Sequence, residues 1–165
     1  MLTGLPPLVS SQTRLLILGS FPGAASLAAQ QYYGHPRNHL WPILQAILPC
    51  NPDIACQNSY LIRSKWLLSK GLGLWDVYAT CERKGSLDSR IRCPVLNDLA
   101  SLNKLCPNLA AIAHNGGESF RHARHTEQLG LPVYRLPSTS PANASWSFER
   151  KLAAWREIFE HHGLT

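Results

Sequence analysis

The amino-acid sequence predicts an α/β fold in which a mostly parallel sheet is covered by helices on both faces. Three observations carry this reading. Short apolar runs recur along the chain, each ending in glycine or polar turn residues. Helix-spaced apolar segments separate them, so strands alternate with helices as in βαβ units. The 165 residues, 45% of them hydrophobic, suffice to bury a core, and no linker, repeat or charge block divides them. A single domain over residues 1–165 is therefore expected.

The first strand is read at residues 14–19 (RLLILG), a continuous apolar run of the kind buried on both faces. Residues 24–31 favour a short helix. Pro36 interrupts, and Asn38 is placed to cap a helix over residues 40–48, where Leu40, Ile43, Leu44, Ile47 and Leu48 recur at helical spacing. Residues 60–69 suggest another helix, closed by Gly71. Residues 73–78 (GLWDVY) form the second strand. Residues 81–93 read as a polar, basic loop, and Pro94 as the start of a helix reaching Leu105. The third strand is residues 109–113, followed by a turn of His114, Asn115, Gly116 and Gly117 and a helix through Gln128. Residues 132–136 form the fourth strand, 137–147 a long loop, and 148–161 the closing helix.

In open parallel sheets the ligand sits beyond the carboxyl ends of the strands. That rule gathers four segments at one edge. Gly19, Ser20, Phe21, Pro22 and Gly23 follow the first strand. They lack the patterns of a P-loop or a dinucleotide fingerprint, and read either as a plain turn or as backbone amides facing a ligand. In residues 32–41 (YYGHPRNHLW) a core role accounts for Leu40 and Trp41. Tyr33, Arg37 and Asn38 together resemble a base-stacking and phosphate-contacting group, although Asn38 also suits a plain helix cap. Asp76 is either a strand-end carboxylate in solvent or an acceptor for a base N–H. The turn from His114 to Gly117 is the third segment. The fourth carries Ser138, Thr139, Ser140 and Asn143 beside Pro141 and Ala142, a hydroxyl-rich loop that satisfies turns or donates to phosphates.

Composition narrows the function. Sixteen Lys and Arg against ten Asp and Glu give a formal charge of +6, which fits a polyanion partner as well as a merely basic protein. Arg83, Lys84, Arg90 and Arg92 lie where such a partner would bind, and equally where solvated charge is ordinary. Cys50, Cys56, Cys81, Cys93 and Cys106 show no zinc-type spacing and read as free thiols. No metal and no cofactor are expected. The four segments hold no carboxylate pair, no Gly-x-Ser-x-Gly elbow and no His-Glu-x-x-His, which leaves polar positioning and electrostatic stabilisation as the available chemistry. No apolar run approaches the roughly 18–20 residues of a membrane span. No signal-peptide pattern opens the chain, so a cytoplasmic location is expected.

Residues 19–23 (GSFPG) resemble motif 1 of the uracil-DNA glycosylase superfamily, residues 32–41 its continuation, and residues 136–141 (LPSTSP) its motif 2. Residues 73–76 (GLWD) and 82–89 (ERKGSLDS) are most similar to the hypoxanthine-DNA glycosylase branch. The resemblance covers nearly the whole chain. It implies a three-layer α/β/α sandwich with a central four-stranded parallel sheet. It also implies a monofunctional enzyme that flips a deaminated base from damaged DNA and hydrolyses its N-glycosidic bond. Carried over by position, Tyr33 stacks on the flipped base, Asp76 reads its edge, and the loop after Pro137 grips phosphates. Two departures stand out. Phe21 occupies the place where uracil-active relatives hold a water-positioning Asp or Asn, so the resemblance moves that role to Asn38. Pro141 and Ala142 are small where relatives carry a bulky wedge. Hypoxanthine is the substrate this implies, acted on by a monomer away from membranes. Uracil, xanthine or a mismatched base is the alternative, as is a non-catalytic DNA-binding protein of the same fold.

Overall fold

The computed structural model describes residues 1–49 and 59–165, so Cys50 and Cys56 lie outside the described residues. Four strands pair in parallel in the order β3 (Leu72–Asp76), β2 (Leu15–Gly19), β6 (Ala111–Asn115) and β7 (Val133–Leu136). Alternate residues of these strands face opposite layers, and β2, β3 and β6 are buried throughout. Leu15, Ile17, Leu72, Leu74, Ala111 and Ala113 enter one core. There they meet α2 (Leu40–Ile47), α3 (Tyr60–Ser69) and α7 (Phe148–His161), whose Trp41, Trp66, Trp155 and Phe159 fill the space. Leu16, Leu18, Trp75 and Ile112 enter a second core with Phe21, Tyr78, Leu99 and Leu102. Burial on both faces is why these strands read as unbroken apolar runs, each fully buried leucine contributing about 2 kcal/mol. The expected three layers and four parallel strands are present.

Local signals set the helix ends. Ser59 Oγ accepts the Ile62 N–H at 3.3 Å to start α3, and Ser147 Oγ accepts the Arg150 N–H at 3.2 Å to start α7. Between β2 and α2 lies the short α1 (Ala24–Ala29).

Three sequence expectations are corrected. The loop expected over residues 81–93 is shorter, residues 83–91, because strands take both of its ends, and Pro94 does not start a helix. Instead β4 (Tyr78–Glu82) pairs antiparallel with both β1 (Leu2–Thr3) and β5 (Arg92–Leu96), making a second sheet. Pro94 is tolerated because β5 is an exposed edge strand, where a missing N–H breaks no inner ladder. The second strand therefore ends at Asp76 rather than Tyr78. The helix expected from Pro94 shrinks to α4 (Leu102–Leu105), preceded by one 3₁₀ turn at Leu99–Ser101. Finally, β6 continues through His114 and Asn115, which are buried strand residues and not a turn. The helix after them is two short pieces, α5 (Gly117–Phe120) and α6 (Ala123–Glu127).

The chain leaves β2 for β3 on one side and later takes up β6 on the other. Strand order thus reverses beside β2, and connections diverge from its carboxyl end. A crevice at that end is the geometric consequence.

Candidate active site

A cleft of about 880 Å³ occupies that position. Most of the residues singled out from the sequence line it, although Arg37 and His114 do not. Gly19, Ser20, Phe21, Pro22 and Gly23 come from the turn after β2, Tyr33 and Asn38 from the segment before α2, and Asp76 from the end of β3. Ser138, Thr139, Ser140, Pro141, Ala142 and Asn143 come from the loop after β7.

Asp76 is the most unusual group there. It is 5% exposed, and its Oδ2 is buried with no hydrogen-bond partner among the described residues. Burial first, and then the charge of Asp88, push its carboxyl up to about 7, against a smaller pull from Arg83. An unpaired carboxylate in such a place destabilises the fold, which makes one facing a cleft a functional candidate. The neighbouring backbone accommodates it closely. A Cβ on Gly19 would stand 2.5 Å from Asp76 Oδ1 and 2.9 Å from the Tyr33 hydroxyl, so only glycine fits.

Tyr33 adopts a left-handed backbone, with φ of 54°. A residue with a side chain pays roughly 1–2 kcal/mol for that conformation. The strain is held in place from β6, where Asn115 Nδ2 donates to the Tyr33 hydroxyl at 3.2 Å. Burial and the nearby Asp76 charge keep the phenol far above its ordinary range, so it stays neutral. Asn115 also donates to Thr139 Oγ1 at 3.0 Å and accepts the Thr139 N–H at 3.0 Å. One buried amide therefore joins the aromatic segment to the loop after β7.

That loop is internally ordered. Ser138 Oγ accepts the Ser140 N–H and Ser140 Oγ accepts the Ala142 N–H, each at 3.1 Å, while Asn143 Nδ2 donates to Ser138 O. Both serines act as acceptors here, which leaves their hydroxyl protons to point at an incoming acceptor. Thr139 is fully buried and bonds inward. The close approach of Ser138 to Gly116 explains that glycine, whose φ is 96° and whose Cβ would stand 3.0 Å from Ser138 Cβ. Behind the loop, buried Lys151 places Nζ 3.4 Å from Ser140 O and 3.2 Å from His39 Nδ1.

Asn38 is half-buried on the cleft wall. Its Oδ1 accepts the Leu40 N–H at 2.9 Å, so it does anchor the start of α2, although His39 takes the cap position itself. A carbonyl oxygen keeps a second lone pair for another donor. In the turn after β2, the amides of Phe21 and Gly23 donate to nothing among the described residues, and Pro22 has no N–H. Phe21 itself is buried in the second core, with the Arg83 guanidinium 5.3 Å from its ring centre.

Three features escaped sequence reasoning. The β4–β5 connection folds back over the turn after β2, bringing Ser86, Leu87, Asp88 and Ser89 to the cleft. There Ser20 Oγ donates to Asp88 Oδ1 at 2.7 Å. Two carboxylates thus line the cleft, where the four sequence segments contained no pair. The second feature is the Asn115 hub, which only the pairing of β6 beside β2 makes visible. The third is Trp146, on the cleft with Arg150 4.1 Å from its ring centre. Conversely, His114 serves the core. Its Nδ1 meets Ser119 Oγ at 2.7 Å, its Nε2 meets Thr126 Oγ1 at 2.8 Å, and burial pushes it down to about 4, so it stays neutral. Among the described residues no helix is long and apolar enough to cross a membrane.

Known proteins share this arrangement. The family model described as uracil DNA glycosylase superfamily matches residues 6–159. The hypoxanthine DNA glycosylase of Methanosarcina barkeri is 34% identical over 157 residues, covering 95% of this chain and 97% of the relative. The protein of the same name from Methanosarcina acetivorans is 35% identical over 159 residues, covering 96% and 98%. A solution structure from Methanosarcina acetivorans, provisionally designated a uracil DNA glycosylase, superposes with a TM-score of 0.85 at 33% identity, covering 96% of each chain.

Proposed function

The chain belongs to the uracil DNA glycosylase superfamily and is a DNA glycosylase, and from that premise we propose that it removes hypoxanthine from deaminated DNA, with Asn38 as the catalytic residue. The observation that carries the reading is the buried, unpartnered Asp76 carboxylate in a cleft whose wall holds Asn38. Hypoxanthine presents an N1–H that adenine lacks, and an ionised carboxylate is the acceptor for it. The names of the two Methanosarcina relatives agree with that substrate. Phe21 argues against strong uracil activity, because a buried ring replaces the water-positioning acid of uracil-active relatives.

The reaction then follows from the groups present. The target nucleotide leaves the stack, which costs a few kcal/mol and less for a mispaired base. Tyr33 offers its ring to the base, and the protons of Ser138 and Ser140 meet the flanking phosphates. The C1′–N9 bond loosens toward an oxocarbenium-like sugar while negative charge builds on the purine. The amides of Phe21 and Gly23, which have no acceptor among the described residues, stabilise that charge in this reading. Asn38 Oδ1 accepts from the water that attacks C1′; as the C1′–O bond forms and the C1′–N9 bond breaks, the water's proton passes to solvent and solvent protonates the departing purine anion. An amide orients this water without deprotonating it, so turnover is modest.

The test uses an inosine-containing duplex in single-turnover excision. Asn38→Ala is expected to slow release of hypoxanthine by about 100-fold or more. Asn38→Ser keeps a hydroxyl acceptor for the Leu40 N–H, so it separates loss of the helix anchor from loss of the amide. Normal excision by Asn38→Ala would remove Asn38 from the mechanism. Faster release of uracil than of hypoxanthine from matched oligonucleotides would overturn the substrate.

A further inference from the structure

Five large hydrophobic residues are exposed among the described residues: Met1, Leu61, Leu87, Val95 and Leu105. Only Leu87 lines the cleft. It is 51% exposed, and it stands in the β4–β5 connection, which lines the cleft together with the loop after β7. An exposed apolar side chain at the rim of a polar cleft marks a contact surface.

The segment carrying Leu87 is held on both sides. Before it, Ser86 Oγ accepts the Ala24 N–H at 2.9 Å. After it, Asp88 Oδ1 accepts from Ser20 Oγ at 2.7 Å, and a 3₁₀ turn begins at Asp88–Arg90. Further back, Arg83 donates to Pro22 O at 2.7 Å and to Gly85 O at 2.8 Å. The backbone on either side of Leu87 is thus tied to the turn after β2, while the side chain stays in solvent. Fixing an apolar side chain outward stabilises nothing in the free protein. It does remove the entropy that a loose loop would lose on binding.

The surroundings specify the partner. Residues 82–92 hold Arg83, Lys84, Arg90 and Arg92 against Glu82 and Asp88. An apolar tip within a cationic segment is complementary to a nucleic-acid duplex, in which phosphates flank a stack of bases. In the loop after β7, Pro141 and Ala142 are small, and Trp146 beyond them is covered by the Arg150 guanidinium 4.1 Å from its ring centre.

We infer that Leu87 is the wedge of this enzyme, a positioning residue that enters the base stack and occupies the space vacated by the flipped nucleotide. The inference rests on the glycosylase reading above. It places the wedge on the β4–β5 connection, a segment separate from the loop after β7 that meets the phosphates. The flipped nucleotide is then kept from returning while Asn38 and Asp76 engage it.

The test compares two DNA substrates: an inosine paired within a duplex, and the same inosine in an unpaired bubble. A 2-aminopurine beside the lesion reports unstacking independently of chemistry. Leu87→Ala should slow excision from the paired duplex by about tenfold or more, a difference of at least 1.4 kcal/mol. It should leave excision from the bubble within about twofold. Leu87→Phe should restore both the paired rate and the 2-aminopurine signal that Leu87→Ala loses. Equal rates for Leu87→Ala and the wild type on the paired duplex would overturn the inference, as would equal losses on both substrates. So would a paired-specific loss in Trp146→Ala with Leu87→Ala unaffected. A wild type that excises nothing, yet unstacks 2-aminopurine in a Leu87-dependent way, would sink the glycosylase reading and keep the wedge. A wild type that does neither would overturn both.

Discussion

Asp76 links stability to function at the scale of one residue. Its carboxyl sits at about 7, where an exposed aspartate would sit near 4. Between these values the folded chain holds a proton that the unfolded chain has released. Unfolding then releases protons, so stability falls as pH rises from about 4 to about 7 and is level above. Asp76→Asn removes the ionisation and keeps the shape. At pH 8 the variant should be more stable than the wild type by up to about 4 kcal/mol, the free energy of moving the carboxyl from about 4 to about 7. That advantage should vanish below about pH 4. Urea unfolding at several pH values measures it, and a constant difference across the range would disprove the coupling. Activity should move the other way. The wild type should lose kcat/KM as pH drops below about 7, because the carboxylate that accepts a base N–H becomes protonated. The variant should be slow throughout, without that limb. Asp76 was legible in the sequence as a lone acid at a strand end, but its isolation was not, because its burial depends on Gly19, Tyr33 and the β4–β5 connection, which come from distant parts of the chain.

At the scale of elements, the readable parts were those whose signal is local. β2, β3, β6 and β7 announced themselves as apolar runs because helices cover both faces of the sheet. Ser147 and the helical spacing after it announced α7. The β4–β5 hairpin stayed hidden for a physical reason. Most of β5 is solvent-exposed, so it shows no apolar alternation, and its pairing is carried by backbone bonds that any sequence can make. Pro94 then reads as a helix start, when an edge strand holds it equally well. With the hairpin went the placement of Leu87 and Asp88, which the motif at residues 82–89 contained but did not bring to the cleft. Asn115 was visible but misplaced, as a turn residue in place of a buried strand end. Its amide couples β6 to the loop after β7 and to Tyr33 through three hydrogen bonds. Asn115→Ala should therefore destabilise the fold by about 1–3 kcal/mol, since the buried Thr139 N–H loses its acceptor. Hydrogen exchange locates the effect. The Thr139 amide should exchange much faster in the variant, while amides in β2 stay protected. Unchanged protection at Thr139 would mean that the loop is ordered by its own serine bonds alone.

Over the whole molecule, charge is distributed in a way that suits the cleft. α7 balances Arg150, Lys151 and Arg156 against Glu149, Glu157 and Glu160, so it adds nothing to the surplus of +6. Residues 82–92 carry four cations against two anions, on the segment that borders the cleft. Of these, Lys84, Arg90 and Arg92 are exposed, whereas Arg83 is spent on Pro22 and Gly85. Three phosphate contacts would release counterions with a slope of log K against log salt near −3 on duplex DNA, about −0.9 for each contact. A fourfold rise in salt should then weaken binding by roughly 40-fold. Lys84 is exposed, makes no side-chain bond among the described residues, and is the cleanest probe of this contribution. Lys84→Ala should reduce the slope by about one, with a similar loss of affinity for every duplex sequence. Excision at saturating enzyme should remain unchanged, because the substitution touches encounter and not the reacting atoms. Fluorescence anisotropy over a salt series, paired with single-turnover excision, separates the two quantities. An unaltered slope would mean that the duplex is held elsewhere, and the β4–β5 connection would lose its place beside the DNA together with the wedge inferred on it.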